Sequence, residues 1–162
     1  MLLSAILSVF IWPGLTASPP DPRWLTDLDA ARKIAASEKR SIYVLFIDQE
    51  RCPYCTRFTA DVLKRSAFDK FLKNNDLVMV FLEFSRRSGP ANAELRKNLE
   101  LAGDFDVVNC PTAFILDRRG KTVGSVAGTY WVDNYVRKLE KMLKDNDRQS
   151  VEQPVSPPNR GL

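Results

Sequence analysis

The sequence predicts an α/β fold in which a central mixed β-sheet is flanked by helices. Residues 41–48 and 77–84 are apolar at nearly every position, which is typical of strands covered by helices on both faces. Between these segments apolar residues recur at helical spacing, and a strand–turn–strand pattern follows the second segment. The chain has 162 residues, of which 44% are apolar, so one domain with a buried core is expected.

The first half of the predicted domain begins with a helix. Thr26 and Asp29 have the spacing of a capping box, so the helix is expected to start there and to reach about Lys39. The strand at 41–48 follows and ends just before a pair of cysteines. Two more helices are expected at 53–64 and 66–74, ahead of the second strand.

The second half is predicted to contain a loop at 85–90, a helix at 91–101 and a β-hairpin. The hairpin strands are 112–116 and 121–126, joined by a glycine-containing turn. A final amphipathic helix is expected at 131–143. The domain therefore covers 25–144, and the polar, proline-containing segment 145–162 is predicted to be a disordered tail. Four aromatic residues are expected in the core: Trp24, Phe114, Trp131 and Tyr135.

The N-terminus has the pattern of a signal peptide. Residues 2–12 are apolar except for two serines, and a proline, a glycine and a small-residue site at 16–18 follow them. This stretch is well short of the ~20 residues that a membrane-spanning helix needs. We therefore expect a signal peptide at 1–17, an extended lead-in at 18–24 and a periplasmic location. The alternatives are an uncleaved anchor and an apolar arm packed on the domain.

Composition excludes several kinds of function. Basic and acidic residues number 24 and 20, giving a net charge of +4, and they are interspersed, so no nucleic-acid partner is predicted. The chain contains no histidine, which excludes Ser-His-Asp and Cys-His catalysis and histidine-ligated metal or haem. Neither a cofactor nor a resident metal is expected. Chemistry must therefore come from cysteine, carboxylate, lysine or tyrosine side chains.

The three cysteines are too few for the disulfide scaffold of a small secreted protein. Cys52 and Cys55 are separated by two residues, a spacing found in redox pairs and in thiolate metal sites. Pro53 suits the first turn of a helix, which places Cys52 at the N-cap and Cys55 one turn later. The helix dipole, with Arg51 beside it, would favour a nucleophilic thiolate at Cys52. The more shielded Cys55 would be the resolving thiol.

Three features together resemble the thioredoxin superfamily, over residues 25–143. They are the apolar strand, the Cys52-Pro53-Tyr54-Cys55 turn into a helix, and the Pro111-Thr112 step that opens the hairpin. The resemblance implies a thioredoxin-like fold and thiol–disulfide oxidoreductase activity. It also implies that Pro111 is cis and faces the cysteine pair, with the neighbouring backbone pairing with a substrate peptide. Tyr54 is expected to be exposed beside the pair as a substrate contact.

The chain departs from the superfamily at two positions near the pair. The buried acid found six residues before the first cysteine is replaced by Phe46, and the tryptophan just before that cysteine is replaced by Arg51. Asp48 and Glu50 are nearby substitutes for the missing proton acceptor of Cys55. Each is otherwise a solvated charge at the end of the strand.

Cys110 directly precedes Pro111, a position that looks at the cysteine pair in this superfamily. A thiol there has several possible roles. It could bridge Cys52 unproductively, modulate the reactivity of Cys52, or complete a three-thiolate site. It could also be a small buried apolar residue, as free cysteines often are.

The residues between the cysteines favour a reductase. Strong oxidases and isomerases of the superfamily place a histidine there, whereas Tyr54 cannot donate a cationic hydrogen bond. The predicted function is thus a periplasmic disulfide reductase, similar to DsbH-type thioredoxin-like proteins. It would act as a monomer on protein disulfides and thiols and be recharged by a membrane electron donor. The alternatives are a disulfide oxidase or isomerase, and a metallochaperone that holds Cu(I) with its thiolates.

Overall fold

A computed structural model describes residues 22–48, 52–84, 93–128 and 130–152. Within them, helices and strands alternate along the chain before a hairpin and a last helix, which agrees with the predicted order. The elements are α1 (Leu28–Glu38), β1 (Ile42–Ile47), α2 (Pro53–Phe58), α3 (Ser66–Asn74), β2 (Val78–Glu83), α4 (Ala93–Asp104), β3 (Thr112–Leu116), β4 (Thr122–Ala127) and α5 (Val132–Glu152).

The described strands form a mixed sheet in the order β2-β1-β3-β4. Strand β1 pairs in parallel with β2, where Ile42 lies opposite Val78, and antiparallel with β3, where Ile42 lies opposite Leu116. Strand β4 returns antiparallel beside β3. The predicted α/β fold with a central mixed sheet is therefore confirmed.

The central strand separates two apolar clusters because its side chains alternate between the faces of the sheet. Tyr43, Leu45 and Ile47 pack with residues of α2, α3 and α5, whereas Ile42, Val44 and Phe46 pack with residues of α1 and α4. All six positions of β1 are buried. The continuous apolar pattern of this strand thus results from helices on both faces, as expected.

Helix α1 is capped by a different residue from the predicted one. Asp27 has an extended backbone, and its Oδ1 accepts a hydrogen bond of 2.9 Å from the Ala30 amide. Asp29 lies in the first turn, where it accepts a hydrogen bond from Lys97. The capping box that begins at Thr26 is therefore wrong by one residue, because the carboxylate of Asp27 satisfies a free amide of the first turn.

The helix predicted at 53–64 is not regular throughout. Helix α2 ends at Phe58 and continues as a π-helical turn at Thr59–Leu63. The Lys64 amide bonds to the Thr59 carbonyl at 3.1 Å, and the Thr59 hydroxyl donates to the Cys55 carbonyl at 3.0 Å. The irregularity is thus confined to a single wide turn, the form in which π-helix usually occurs.

The last two helices are longer than predicted. Helix α4 continues to Asp104, past the expected end at 101. Helix α5 continues to Glu152, past the expected end at 143 and into residues assigned to a disordered tail. An ion pair joins Lys141, within the predicted helix, to Asp145, one turn later in the extension. The polar composition suggested disorder, but no helix-breaking residue occurs before Pro154.

Several predicted segments fall wholly or partly outside the described residues. These are the signal peptide at 1–17, most of the lead-in at 18–24, the loop at 85–90 and the tail beyond Glu152. Among the described helices, none is long and apolar enough to cross a bilayer.

Candidate active site

The cysteine pair lies at the start of α2, as the sequence predicts. Cys52 has an extended backbone and is the N-cap, and Pro53 occupies the first turn. The Cys55 amide donates to the Cys52 sulfur at 3.1 Å and to the Cys52 carbonyl at 3.0 Å. The Cys52 sulfur therefore has a backbone amide donor in the first turn of the helix.

The two cysteines differ in accessibility. Cys52 is half-buried, whereas the Cys55 side chain is 0% exposed and belongs to the core cluster beneath α2. Tyr54, which lies between them, is 65% exposed, in agreement with its expected position beside the pair. A large substrate can thus reach Cys52 more easily than Cys55.

The Cys110–Pro111 peptide bond is cis, as the resemblance implies. This segment faces the cysteine pair, because the Cys52 thiol donates to the Cys110 carbonyl at 3.7 Å. The Gly128 amide donates to the Pro111 carbonyl at 2.8 Å, and the Thr112 hydroxyl donates to the Asn109 carbonyl at 2.7 Å. These bonds connect the segment to the end of β4 and to the turn before β3.

The Cys110 side chain contacts Cys55. The two thiols share a hydrogen bond, which is the largest of the causes that raise the pKa of Cys55 above its usual value. Burial and a hydrogen bond with Cys52 raise this pKa further, against the opposing effect of the Asp48 backbone amide. Cys55 therefore holds its proton at neutral pH. None of the three cysteines is in a disulfide.

Asp48 and Phe46 have clear positions relative to the pair. The Asp48 amide is next to the Cys55 sulfur, and its Oδ1 is buried without a hydrogen-bond partner among the described residues. The sequence left two interpretations of Asp48, a proton acceptor for Cys55 or a solvated charge. The buried oxygen shows that the carboxylate is not fully solvated. Phe46 packs on the opposite face of the sheet against Phe84, Phe105 and Phe114. Arg51 and Glu50 lie outside the described residues.

Two large apolar side chains, besides Tyr54, are exposed among the described residues. Val108 is 67% exposed and lies two residues before Cys110. Trp131, expected in the core, is instead 78% exposed, because it precedes α5 and does not share the buried face of that helix. Trp24, Phe114 and Tyr135 are buried as predicted. Sequence analysis missed Val108, since no local pattern distinguishes it from its buried neighbour Val107.

The described part of the chain has no cluster of metal-binding side chains. No group of three or more histidine, cysteine or acidic side chains within it is arranged to hold a metal ion.

Comparison with known proteins gives a consistent fold assignment. The family model described as a thioredoxin-like domain matches residues 28–143. A solved structure named DsbH oxidoreductase is similar to this chain with a TM-score of 0.65 and 22% identity, over 82% of this chain and 95% of the other. No curated protein matches the chain significantly.

Two further solved structures share the fold. A thioredoxin from Thermus thermophilus aligns with a TM-score of 0.58 and 21% identity, over 73% of this chain and 85% of its own. The oxidised C-terminal domain of DsbD from Neisseria meningitidis aligns with a TM-score of 0.52 and 12% identity, over 73% of this chain and 97% of its own. The architecture is thus shared with these proteins at low sequence identity.

Proposed function

Because the chain belongs to the thioredoxin-like domain family and has a Cys52-x-x-Cys55 pair, we propose that it is a thiol–disulfide oxidoreductase that reduces protein disulfides. Cys52 is the nucleophile, and Cys55 is the resolving thiol. The half-buried position of Cys52, the amide that donates to its sulfur and the complete burial of Cys55 support these roles.

The proposed reaction has two exchange steps. The Cys52 thiolate attacks one sulfur of the substrate disulfide, and the other substrate sulfur leaves and takes up a proton. Cys55 then loses its proton and attacks Cys52 in the mixed disulfide, which releases the second substrate thiol. The substrate is reduced by two electrons, and the Cys52–Cys55 pair becomes a disulfide. A membrane electron donor would return the pair to its reduced form.

The side chain of Tyr54, between the cysteines, supports the proposal that the protein reduces disulfides and does not form them. A stabilised thiolate makes a disulfide more oxidising, and superfamily oxidases use a histidine between the cysteines for this purpose. Tyr54 is a neutral phenol, and the chain contains no histidine. In addition, the pKa of Cys55 is raised, so the second thiol does not stabilise the reduced pair as an anion. Both features favour a reductase over an oxidase or isomerase.

The reduction potential of the Cys52/Cys55 pair is the direct test. Purified protein would be equilibrated with dithiothreitol and glutathione buffers, and the fraction of disulfide measured by alkylation. A potential near about −270 mV supports a reductase, whereas one between about −180 and −120 mV would assign the protein to the oxidases and isomerases.

Reduction of insulin disulfides tests the residue roles. The wild type is expected to reduce insulin, and Cys52→Ser is expected to lose this activity. Cys55→Ser is the matched variant, because it retains the nucleophile and should accumulate the mixed disulfide. Full activity of Cys52→Ser would show that the nucleophile has been assigned incorrectly.

The proposed site of action is the periplasm, with export directed by residues 1–17 and the mature protein acting as a monomer. The apolar segment and small-residue site of the sequence support this location. Fusion of residues 1–17 to alkaline phosphatase without its own signal should yield active enzyme. A Leu7→Arg fusion, which interrupts the apolar segment, is the control. Equal inactivity of both fusions would count against export.

A further inference from the structure

The three thiols of the chain are arranged around Cys55. Its side chain shares hydrogen bonds with the thiols of both Cys110 and Cys52. Cys52 contacts the Cys110 segment differently, since its thiol donates to the Cys110 backbone carbonyl at 3.7 Å. The Cys110 thiol is therefore in contact with the sulfur of the resolving cysteine. This contact distinguishes between the roles that the sequence left open for Cys110.

We propose that Cys110 is a third redox-active thiol, which exchanges with the Cys52–Cys55 disulfide to form a Cys55–Cys110 disulfide. The proposal rests on the proposed function, because it needs the Cys52–Cys55 disulfide that substrate reduction produces. Cys55 is the common partner because its sulfur contacts both of the other thiols. Cys110 is half-buried, is not in a disulfide and packs against the core cluster that contains Cys55.

The exchange is an internal thiol–disulfide reaction and needs no external oxidant. Cys110 loses its proton, and its thiolate attacks the Cys55 sulfur. The Cys52–Cys55 bond breaks as the Cys55–Cys110 bond forms, and Cys52 leaves as a thiolate that takes up the proton. One disulfide and one thiol are present before and after the step, so the number of electrons does not change.

The exchange would give the oxidised protein two forms with different reactivity. In the first form Cys52 is blocked within the disulfide. In the second form Cys52 is a free nucleophile while Cys55 is occupied, so the chain can capture a substrate as a mixed disulfide without resolving it. A second oxidised form also increases the total oxidised population at equilibrium. In Cys110→Ala, the overall equilibrium constant for oxidation of the Cys52–Cys55 pair should therefore fall. The expected factor is one plus the ratio of the Cys55–Cys110 form to the Cys52–Cys55 form.

Peptide mapping of the oxidised full-length protein distinguishes the two forms. After oxidation with diamide, acid quenching and alkylation, trypsin places Cys52 and Cys55 together in peptide 52–57 and Cys110 in peptide 98–118. The Cys52–Cys55 form gives an internal disulfide and a labelled Cys110. The Cys55–Cys110 form gives a cross-link between the peptides with the label on Cys52. Fragmentation between Pro53 and Tyr54 identifies which cysteine is labelled.

Two matched variants test which thiols can pair. Cys52→Ala retains the contacting thiols of Cys55 and Cys110 and is expected to lose both free thiols on oxidation, as an intramolecular disulfide. Cys55→Ala retains Cys52 and Cys110 and is expected to form little intramolecular disulfide. The proposal is overturned if folded Cys52→Ala, judged by circular dichroism, retains both thiols. It is also overturned if the two variants form the bond equally well.

Insulin reduction separates this proposal from the proposed function. If the wild type reduces insulin and no Cys55–Cys110 bond forms, only the exchange is wrong. If the wild type does not reduce insulin, the proposed function is wrong, whatever disulfides the peptide map contains.

Discussion

The hydroxyl groups of Tyr43 and Tyr135 share a hydrogen bond of 2.7 Å inside the core. This bond joins the central strand β1 to the last helix α5, and both side chains are fully buried. The Phe58 ring, which follows the cysteine pair on α2, packs edge-on against Tyr135 with ring centroids 5.1 Å apart. The two tyrosines thus connect the sheet, the last helix and the helix that carries the two cysteines.

Removal of both hydroxyls should cost less than the sum of the two single removals. Tyr43→Phe or Tyr135→Phe leaves the other hydroxyl buried without its partner, which should lower the free energy of unfolding by about 1–3 kcal/mol. In the double variant neither hydroxyl is left unpaired, so its loss should be smaller than the sum of the single losses. Urea unfolding of all four proteins measures the coupling. Additive losses would show that the bond does not contribute.

The reduced protein should become less stable at alkaline pH, because the pKa of Cys55 is raised in the folded state from an ordinary value of 9.0. The unfolded chain then releases a proton that the folded chain retains. The contribution is complete below the unfolded pKa and is lost as pH rises above it, by up to about 1.4 kcal/mol per pH unit. Burial also raises the pKa of Tyr43 and Tyr135 above 10.0, so these tyrosines add to the loss at higher pH.

Unfolding in urea between pH 7 and pH 10, with reductant present, would measure this loss of stability. Cys55→Ala is the control, and it should remove the part of the slope that begins near the ordinary pKa of 9.0. An identical slope in the wild type and in Cys55→Ala would contradict the assignment.

Tyr54→His should make the cysteine pair more oxidising. A cationic imidazole beside Cys52 would stabilise its thiolate, and stabilisation of the reduced form raises the reduction potential. A tenfold change in the exchange equilibrium corresponds to about 30 mV, and we expect an increase of at least that size. Equilibration with glutathione buffers provides the measurement. Tyr54→Phe, which introduces no charge, should leave the potential nearly unchanged, and an equal increase in both variants would exclude a charge effect.

Substitutions can distinguish Asp27, the observed N-cap of α1, from Thr26, the N-cap that the sequence predicted. Asp27→Ala removes the acceptor of the Ala30 amide and should lower the free energy of unfolding by about 1 kcal/mol. The ion pairs of Lys97 with Asp27 and Asp29 are exposed, so their loss adds little. Thr26→Ala is the control and should stay within about 0.5 kcal/mol of the wild type. Thermal or urea unfolding measures both, and a larger loss for Thr26→Ala would contradict the cap.

The order of elements was predictable because each relied on a local pattern. Strands β1 and β2 are covered on both faces, so their apolar runs are long and continuous. Helix α3 was predicted with its observed bounds, because a single apolar stripe that includes Phe68 and Phe71 packs on the sheet. The ends of α4 and α5 were not predicted correctly. Helix α4 continues through Ala102, which is buried in the core, and α5 continues through mainly polar residues beyond Leu143.

By itself, the sequence determined the fold class, the place of Cys52 and Cys55 at the start of a helix, and the chemistry that a chain without histidine can use. Each of these follows from local periodicity, spacing or composition. The tertiary structure alone decided that the Cys110 thiol contacts Cys55 and that Trp131 is exposed. Such contacts depend on how distant segments pack in three dimensions, and the spacing of residues along one chain does not contain that information.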